Sequence, residues 1–270
     1  MKSTAVAAST LAVLSAAAFA LPALAEDSDA EIAKKSLNPV ASLISLPFKL
    51  DYDRKIGRLE QGDKYQLTVQ PVLPFSIGTD WNLISRSLIP LIDQKNVTPT
   101  SGTQSGIGDI TQQFYFSPKA PTAAGWIWGV GPQALLRTGT DNLSSDKWGL
   151  GPTAVLLKQE HGWTYGALVN HMWSVGGSSQ ARDISATYLQ PFLSYTTPRF
   201  TTYGINTEST YNWKTSQWSV PVNVYVMQML KIGGQPLTLQ AAARYWGESP
   251  DGIGPKGWGV RFQATFLFPK

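Results

Sequence analysis

The sequence predicts an all-β fold, an antiparallel up-and-down transmembrane β-barrel of about twelve strands with both termini periplasmic. Three observations point there. Apolar and polar residues alternate with period two over segments of about 11–14 residues, where soluble strands usually run about 5–6. Longer and shorter connections nearly alternate along the chain. Tryptophans gather near the proposed strand ends.

Composition sets the outer limits. The 270 residues include no Cys and two His, which excludes a disulfide framework, a thiolate zinc site and a His-rich metal centre. Charged residues make only 15% and aromatic ones 11%, while mean hydropathy is −0.11. A net charge of +4 is too small to argue for nucleic acid. No cofactor motif is present: Gly106-x-Gly108 and Gly149-x-Gly151 lack the rest of any nucleotide fingerprint.

The elements follow in order. Met1–Ala25 reads as a secretory leader, with Lys2, an Ala- and Leu-rich run, and Ala23-Leu24-Ala25 as a small-x-small cleavage site. Residues 26–37 read as a short periplasmic tail, and 38–270 as the barrel. Beyond the leader, no segment has the roughly 18–20 unbroken apolar residues of a spanning helix.

The first strand is expected within 38–50, followed by a polar loop over Asp51–Asp63. In the second, Tyr65, Leu67, Val69, Leu73 and Phe75 alternate with Gln66, Thr68, Gln70 and Val72. Segments 80–92 and 106–117 follow, then Trp126–Leu136, where Gly129, Gly131 and Gln133 take the opposite face. Segments 148–159, 162–175, 182–196 and 200–213 come next, the last two alternating poorly. Trp218–Val226, Leu237–Tyr245 and Trp258–Phe268 alternate cleanly. Trp81, Trp126, Trp163, Trp173, Trp213, Trp218, Trp246 and Trp258 lie near strand ends, where indole favours a membrane interface.

Several stretches carry a family resemblance. They are Asn38–Phe48, Gln70–Pro74, Asp80–Arg86, Gly106–Ile110, Phe116–Lys119, Gly125–Pro132 and Leu230–Pro236, which together span nearly all of 38–270. The chain resembles a bacterial outer-membrane family named for a phenol-degradation (meta-cleavage) pathway and often labelled a transporter. The resemblance implies an outer-membrane β-barrel in a Gram-negative cell. It implies no catalytic residues.

The residues give no enzyme either. A barrel hydrolase needs Ser and His side by side, and Ser174, three residues from His171, takes the opposite face of a strand. His171 falls with the outward residues near a strand end, and no Gly-x-Ser-x-Gly elbow occurs.

Function is therefore expected in the lumen. The inward faces should present Arg86, Gln133, Arg137, Asn170, Asn223, Gln240, Arg244, Arg261 and Gln263, with Asp109 and Glu208 as partners for the arginines. Two readings stand side by side. Surplus arginine in a narrow pore favours anions or polarised solutes, while arginine and acid paired across the lumen plug it. A barrel of this size lies between those filled by side chains, at about eight strands, and open ones at about sixteen. The expectation is an outer-membrane, porin-like channel or facilitator for passive uptake of small solutes, aromatic or anionic compounds among them. The alternative is a non-conducting structural or binding barrel acting through its extracellular loops. The expected partners are outer-membrane lipid, a small-molecule solute and the barrel-assembly machinery during insertion, with no nucleic acid and no metal.

Overall fold

A computed structural model of the chain describes residues 28–97 and 102–269. The proposed leader lies outside them. One helix, α1 (Asp29–Ser36), precedes fifteen strand segments. These are β1 (Ile44–Ile56), β2 (Gly62–Val69), β3 (Val72–Ile77), β4 (Trp81–Lys95), β5 (Thr103–Ile107), β6 (Ile110–Pro118), β7 (Trp126–Leu136) and β8 (Lys147–Glu160). After them come β9 (Trp163–Gly177), β10 (Ser185–Thr196), β11 (Thr201–Thr207), β12 (Ser209–Asn212), β13 (Gln217–Ile232), β14 (Gln235–Glu248) and β15 (Gly257–Phe268).

Three pairs of segments, β2 with β3, β5 with β6, and β11 with β12, each form one barrel strand with a break, giving twelve. Every sequential pair is antiparallel, and β15 pairs with β1 from Ile44↔Phe268 to Tyr52↔Val260, closing the ring.

Proline explains the breaks, because it brings no N–H to the ladder. The first falls at Gln70-Pro71. The second, Gly108-Asp109, faces Pro90 and shifts the register by one between Leu91↔Ile107 and Leu88↔Thr111. The third is Glu208, flanked by Pro191 on β10 and Pro221 on β13. Its N–H reaches Pro221 O at 3.2 Å, and Pro221 has none to return.

The two ends of the barrel differ. At the end where β1 begins and β15 finishes, His161-Gly162 joins β8 to β9 and Gly233-Gly234 joins β13 to β14. All four residues have positive φ, as the tightest hairpin turn requires. The opposite end carries 57–61, 137–146, 178–184, 213–216 and 249–256, longer on the whole. Outward faces are apolar, with Leu73, Phe75, Val224, Val226, Phe262 and Phe266 all exposed. Aromatic pairs ring both ends. Trp81–Trp128, Trp126–Tyr165 and Trp163–Tyr195 lie near the termini, and Tyr52–Tyr65, Tyr211–Trp213 and Tyr245–Trp258 lie at the far end.

The N-terminal stretch departs from the expected tail and first strand. In α1, the Ser28 hydroxyl accepts from Glu31 N at 3.3 Å, acids occupy the first turn and Lys34 and Lys35 the last, all favourable to the helix dipole. The strand begins only at Ile44, and the residues between enter the barrel. Ile32 and Ala33 are buried with Ala41, Leu43, Met229 and Leu267. Val40 reaches further and packs among Val72, Ile84, Tyr115, Val155, Leu157 and Leu168. Each large apolar side chain buried this way contributes about 1.5–3 kcal/mol relative to exposure, so the seat of this segment is worth several. Lys231 pairs with Asp29, and Gln159 Nε2 donates to Lys34 O at 2.8 Å, tying α1 to the rim.

Candidate functional site

The lumen holds a closed network of three cations and three carboxylates. Lys49, Asp51 and Asp53 share the inward face of β1 because a strand turns every second side chain the same way. Arg244 on β14 and Arg261 on β15 project into the same space, and Glu208 enters from the proline-flanked break. Arg261 donates Nη2 to Asp51 Oδ2 at 3.1 Å and to Glu208 Oε2 at 2.6 Å. Arg244 Nη1 lies 3.3 Å from Glu208 Oε2, and Lys49 Nζ lies 3.3 Å from Glu208 Oε1. Arg244 Nε is 3.1 Å from Asp53 Oδ1, close enough for an ion pair but not angled as a hydrogen bond. Trp246 Nε1 donates to that same oxygen at 2.7 Å, and its ring lies under the Arg244 guanidinium. Glu208 thus gathers all three cations, and the six formal charges cancel. Buried ions are tolerated when paired this fully.

A neutral network fills another side of the lumen. Thr153 Oγ1 donates to Tyr115 Oη, Tyr115 to Gln113 Oε1, Gln113 to Gln133 Oε1, and Gln133 to Asn170 Oδ1, at 2.9–3.1 Å. Each buried polar group thereby gains a partner.

Among the described residues, two cavities border this network. One, of about 210 Å³, lies between the N-terminal segment and the charged network, lined by Leu37, Asn38, Lys49, Arg86, Gln240, Arg261 and Gln263 among others. The other, of about 300 Å³, is lined by Arg86, Leu88, Gln133, Leu168, Asn170, Met172 and Tyr188. Lys49, Arg86, Leu168 and Glu208 border both.

Eight of the ten lumen candidates from the sequence therefore sit inside. Arg244 and Arg261 are in the network, and Asn223 joins it, its Oδ1 3.4 Å from Arg244 Nη1. Gln133 and Asn170 belong to the neutral network, and Arg86, Gln240 and Gln263 line cavities. Two do not reach the pore. Arg137 lies at the far rim, paired with Asp146 at 2.9 Å. Asp109 partners no arginine: at the β5–β6 break it accepts from Gly139 N, Ser144 Oγ, Ser145 N and Ser145 Oγ, anchoring the 137–146 loop. Glu208 does partner the arginines, as expected.

Asp51 and Asp53 went unread because Asp51–Asp63 looked like a loop, and Lys49, inside the expected first strand, was not singled out. The signal was present: Lys49, Asp51 and Asp53 alternate with Leu50 and Tyr52, continuing the strand. Trp246 sits near a strand end, yet its indole turns inward, as its parity with Arg244 requires.

His171 faces outward, its ring 4.1 Å from that of Trp173. Its Nδ1 lies 2.7 Å from Thr187 Oγ1, which also accepts from Trp213 Nε1. Pairing of β9 with β10 brings Ser185 Oγ to 3.4 Å from Nε2, a neighbour that sequence spacing does not reveal. No carboxylate contacts the imidazole among the described residues. At the far rim Lys147 Nζ reaches Asp183 at 2.9 Å, and this hydrogen bond holds the Asp183 carboxyl below its ordinary range. Among the described residues no group of three His, Asp or Glu is placed to hold a metal ion.

A family model described as "Putative MetA-pathway of phenol degradation" matches residues 48–270. The chain belongs to this family. Among solved structures, it is similar to an outer membrane channel from Pseudomonas putida F1, with a TM-score of 0.64 at 14% identity. That match covers 84% of this chain and 94% of the other. Outer membrane phospholipase from Salmonella typhi aligns at TM-score 0.47 and 14% identity, covering 90% and 99% of the two chains. The β domain of the Bordetella autotransporter BrkA aligns at 0.47 and 10% identity, covering 84% and 100%. Among curated proteins none matches the chain in sequence. For a member of this phenol-degradation family, the barrel fold is thus shared with a channel, and the lumen chemistry is read from its own residues.

Proposed function

We propose that this member of the family is an outer-membrane channel or facilitator for passive uptake of small solutes, aromatic and anionic compounds among them. The observation that carries the reading is the pair of lumen cavities bordered in common by Lys49, Arg86 and Glu208. A barrel serving only as a scaffold has no need of an interior that stays partly hollow and charged. The apolar outer band and the two aromatic rings support an outer-membrane location, reached after removal of the leader and insertion by the barrel-assembly machinery. On this reading the short-turn end, with both termini, faces the periplasm, and the residues act on a passing solute without catalysing a reaction.

In this conformation α1 and residues 37–43 obstruct the lumen at the terminal end. That observation favours a second reading, a closed barrel that works through its extracellular loops. Liposome swelling separates the two. Vesicles carrying the inserted chain should swell in small aromatic acids and short sugars, and faster with Val40→Asp, which unseats the segment. No permeation by either form would leave the closed barrel standing.

A further inference from the structure

The charged network is complete without Arg86, and Arg86 has no carboxylate of its own among the described residues. Arg86 sits on β4, and its register neighbours are Val72 on β3 and Gln113 on β6. Val72 is apolar. Gln113 already donates to Gln133 and accepts from Tyr115. Glu208, the carboxylate that borders the same cavities, is engaged by Lys49, Arg244 and Arg261. No carboxylate lies within ion-pair distance of Arg86 among the described residues, and its buried Nε has no hydrogen-bond partner.

Arg86 is half-buried, its Nε is shielded and its head group lines both cavities, and inside a membrane protein an unpaired cation so placed marks a binding site or pathway. The surroundings define the ligand. Leu88, Leu135, Leu168 and Met172, with the ring of Tyr188, give the 300 Å³ cavity an apolar wall beside the Arg86 head group. An inorganic anion wastes that wall, and a neutral hydrocarbon leaves the guanidinium unmatched.

We propose that Arg86 anchors a small carboxylate that carries a compact apolar body, such as a single aromatic ring. The carboxylate takes the planar fork of the guanidinium through two N–H groups, and the body lies against Leu168 and Met172. The self-neutralised network beside it supplies no competing counter-charge. This assignment names the solute class of the channel proposed above and rests on that reading for its biological meaning, though the site itself is tested by binding alone.

The test is calorimetric titration of the full chain in detergent micelles with benzoate, and with benzamide as its neutral analogue. Saturable benzoate binding is expected, with benzamide at least about tenfold weaker, the loss that follows from removing one charge-assisted contact. Arg86→Gln should weaken benzoate by a similar factor and leave benzamide unchanged, and Arg86→Lys should restore part of the difference. Equal binding of the two compounds by the natural chain overturns the proposal, and so does no benzoate binding at all. That comparison needs no variant, so it decides the matter even if Arg86→Gln fails to fold. Benzoate binding without benzoate flux in liposomes, in the natural chain and in Val40→Asp alike, refutes the channel and leaves the site. Flux of small solutes without benzoate binding does the reverse.

Discussion

Arg261 and Asp51 face each other across the seam that closes the barrel. They are register partners on β15 and β1, and the guanidinium meets both carboxylate oxygens, Nε to Oδ1 and Nη2 to Oδ2 at 3.1 Å. The same Nη2 holds Glu208 at 2.6 Å, from a strand several positions around the ring. One side chain therefore fastens the seam to a strand three positions away.

Breaking that pair from one side should be expensive. Asp51 and Arg261 are 6% and 2% exposed, so Arg261→Met strands a buried carboxylate at a cost of about 3–5 kcal/mol. The Arg261→Met, Asp51→Leu double variant should cost less than the first change alone. Urea midpoints of refolding into micelles measure both. Equal losses would show that the pairing is not what stabilises the seam.

Glu208 balances Lys49, Arg244 and Arg261 at once. Glu208→Gln removes the negative charge and should move the reversal potential in a salt gradient towards the anion. An unchanged potential would mean that ions do not pass the network.

Close strand approach depends on particular glycines. A Cβ at Gly131 would lie 2.0 Å from Phe114 O, a backbone atom that cannot yield without shifting β6. Gly131→Ala should destabilise the barrel by about 1–3 kcal/mol. At Gly176 a Cβ meets nothing within 4 Å, so Gly176→Ala serves as the neutral control in the same urea titration.

The Lys147–Asp183 contact gives a signed pH dependence. The Lys147 hydrogen bond lowers the Asp183 carboxyl below 3.8 in the folded chain, so its stabilisation is full above that value and fades as pH falls through the lower folded one. The Asp183 carboxyl resonance should therefore titrate below 3.8, and the 178–184 loop should keep its order in mild acid. A midpoint at or above the ordinary value would show that the loop contact is not held in solution.

Much of the barrel was legible because lipid-facing and lumen-facing residues alternate. Val224 and Val226 point out while Asn223 and Tyr225 point in, as their order implies. The interior partnerships were harder to see. Arg261 and Asp51 are 210 residues apart, and only ring closure makes them neighbours. Asp109 misled because a bulge opposite Pro90 ends the alternation there and turns it to a loop. The N-terminal segment was the main omission. Ser28, the acidic first turn and Lys34-Lys35 spell a capped helix, but nothing local says that Val40 enters the barrel, since its partners Leu157 and Leu168 lie more than a hundred residues on.

On the proposed reading that segment decides whether the channel conducts, and its release is the most direct test. Ile32 is 1% exposed and Val40 3%, so Ile32→Asn and Val40→Asp each remove about 1.5–3 kcal/mol from the closed form, raising the open population about 10–100-fold. Single-channel recording in planar bilayers should show rare, brief openings for the natural chain and long-lived ones of larger conductance for both variants. Identical traces from all three, with each confirmed as an inserted barrel, would contradict a channel closed by its own N-terminal segment.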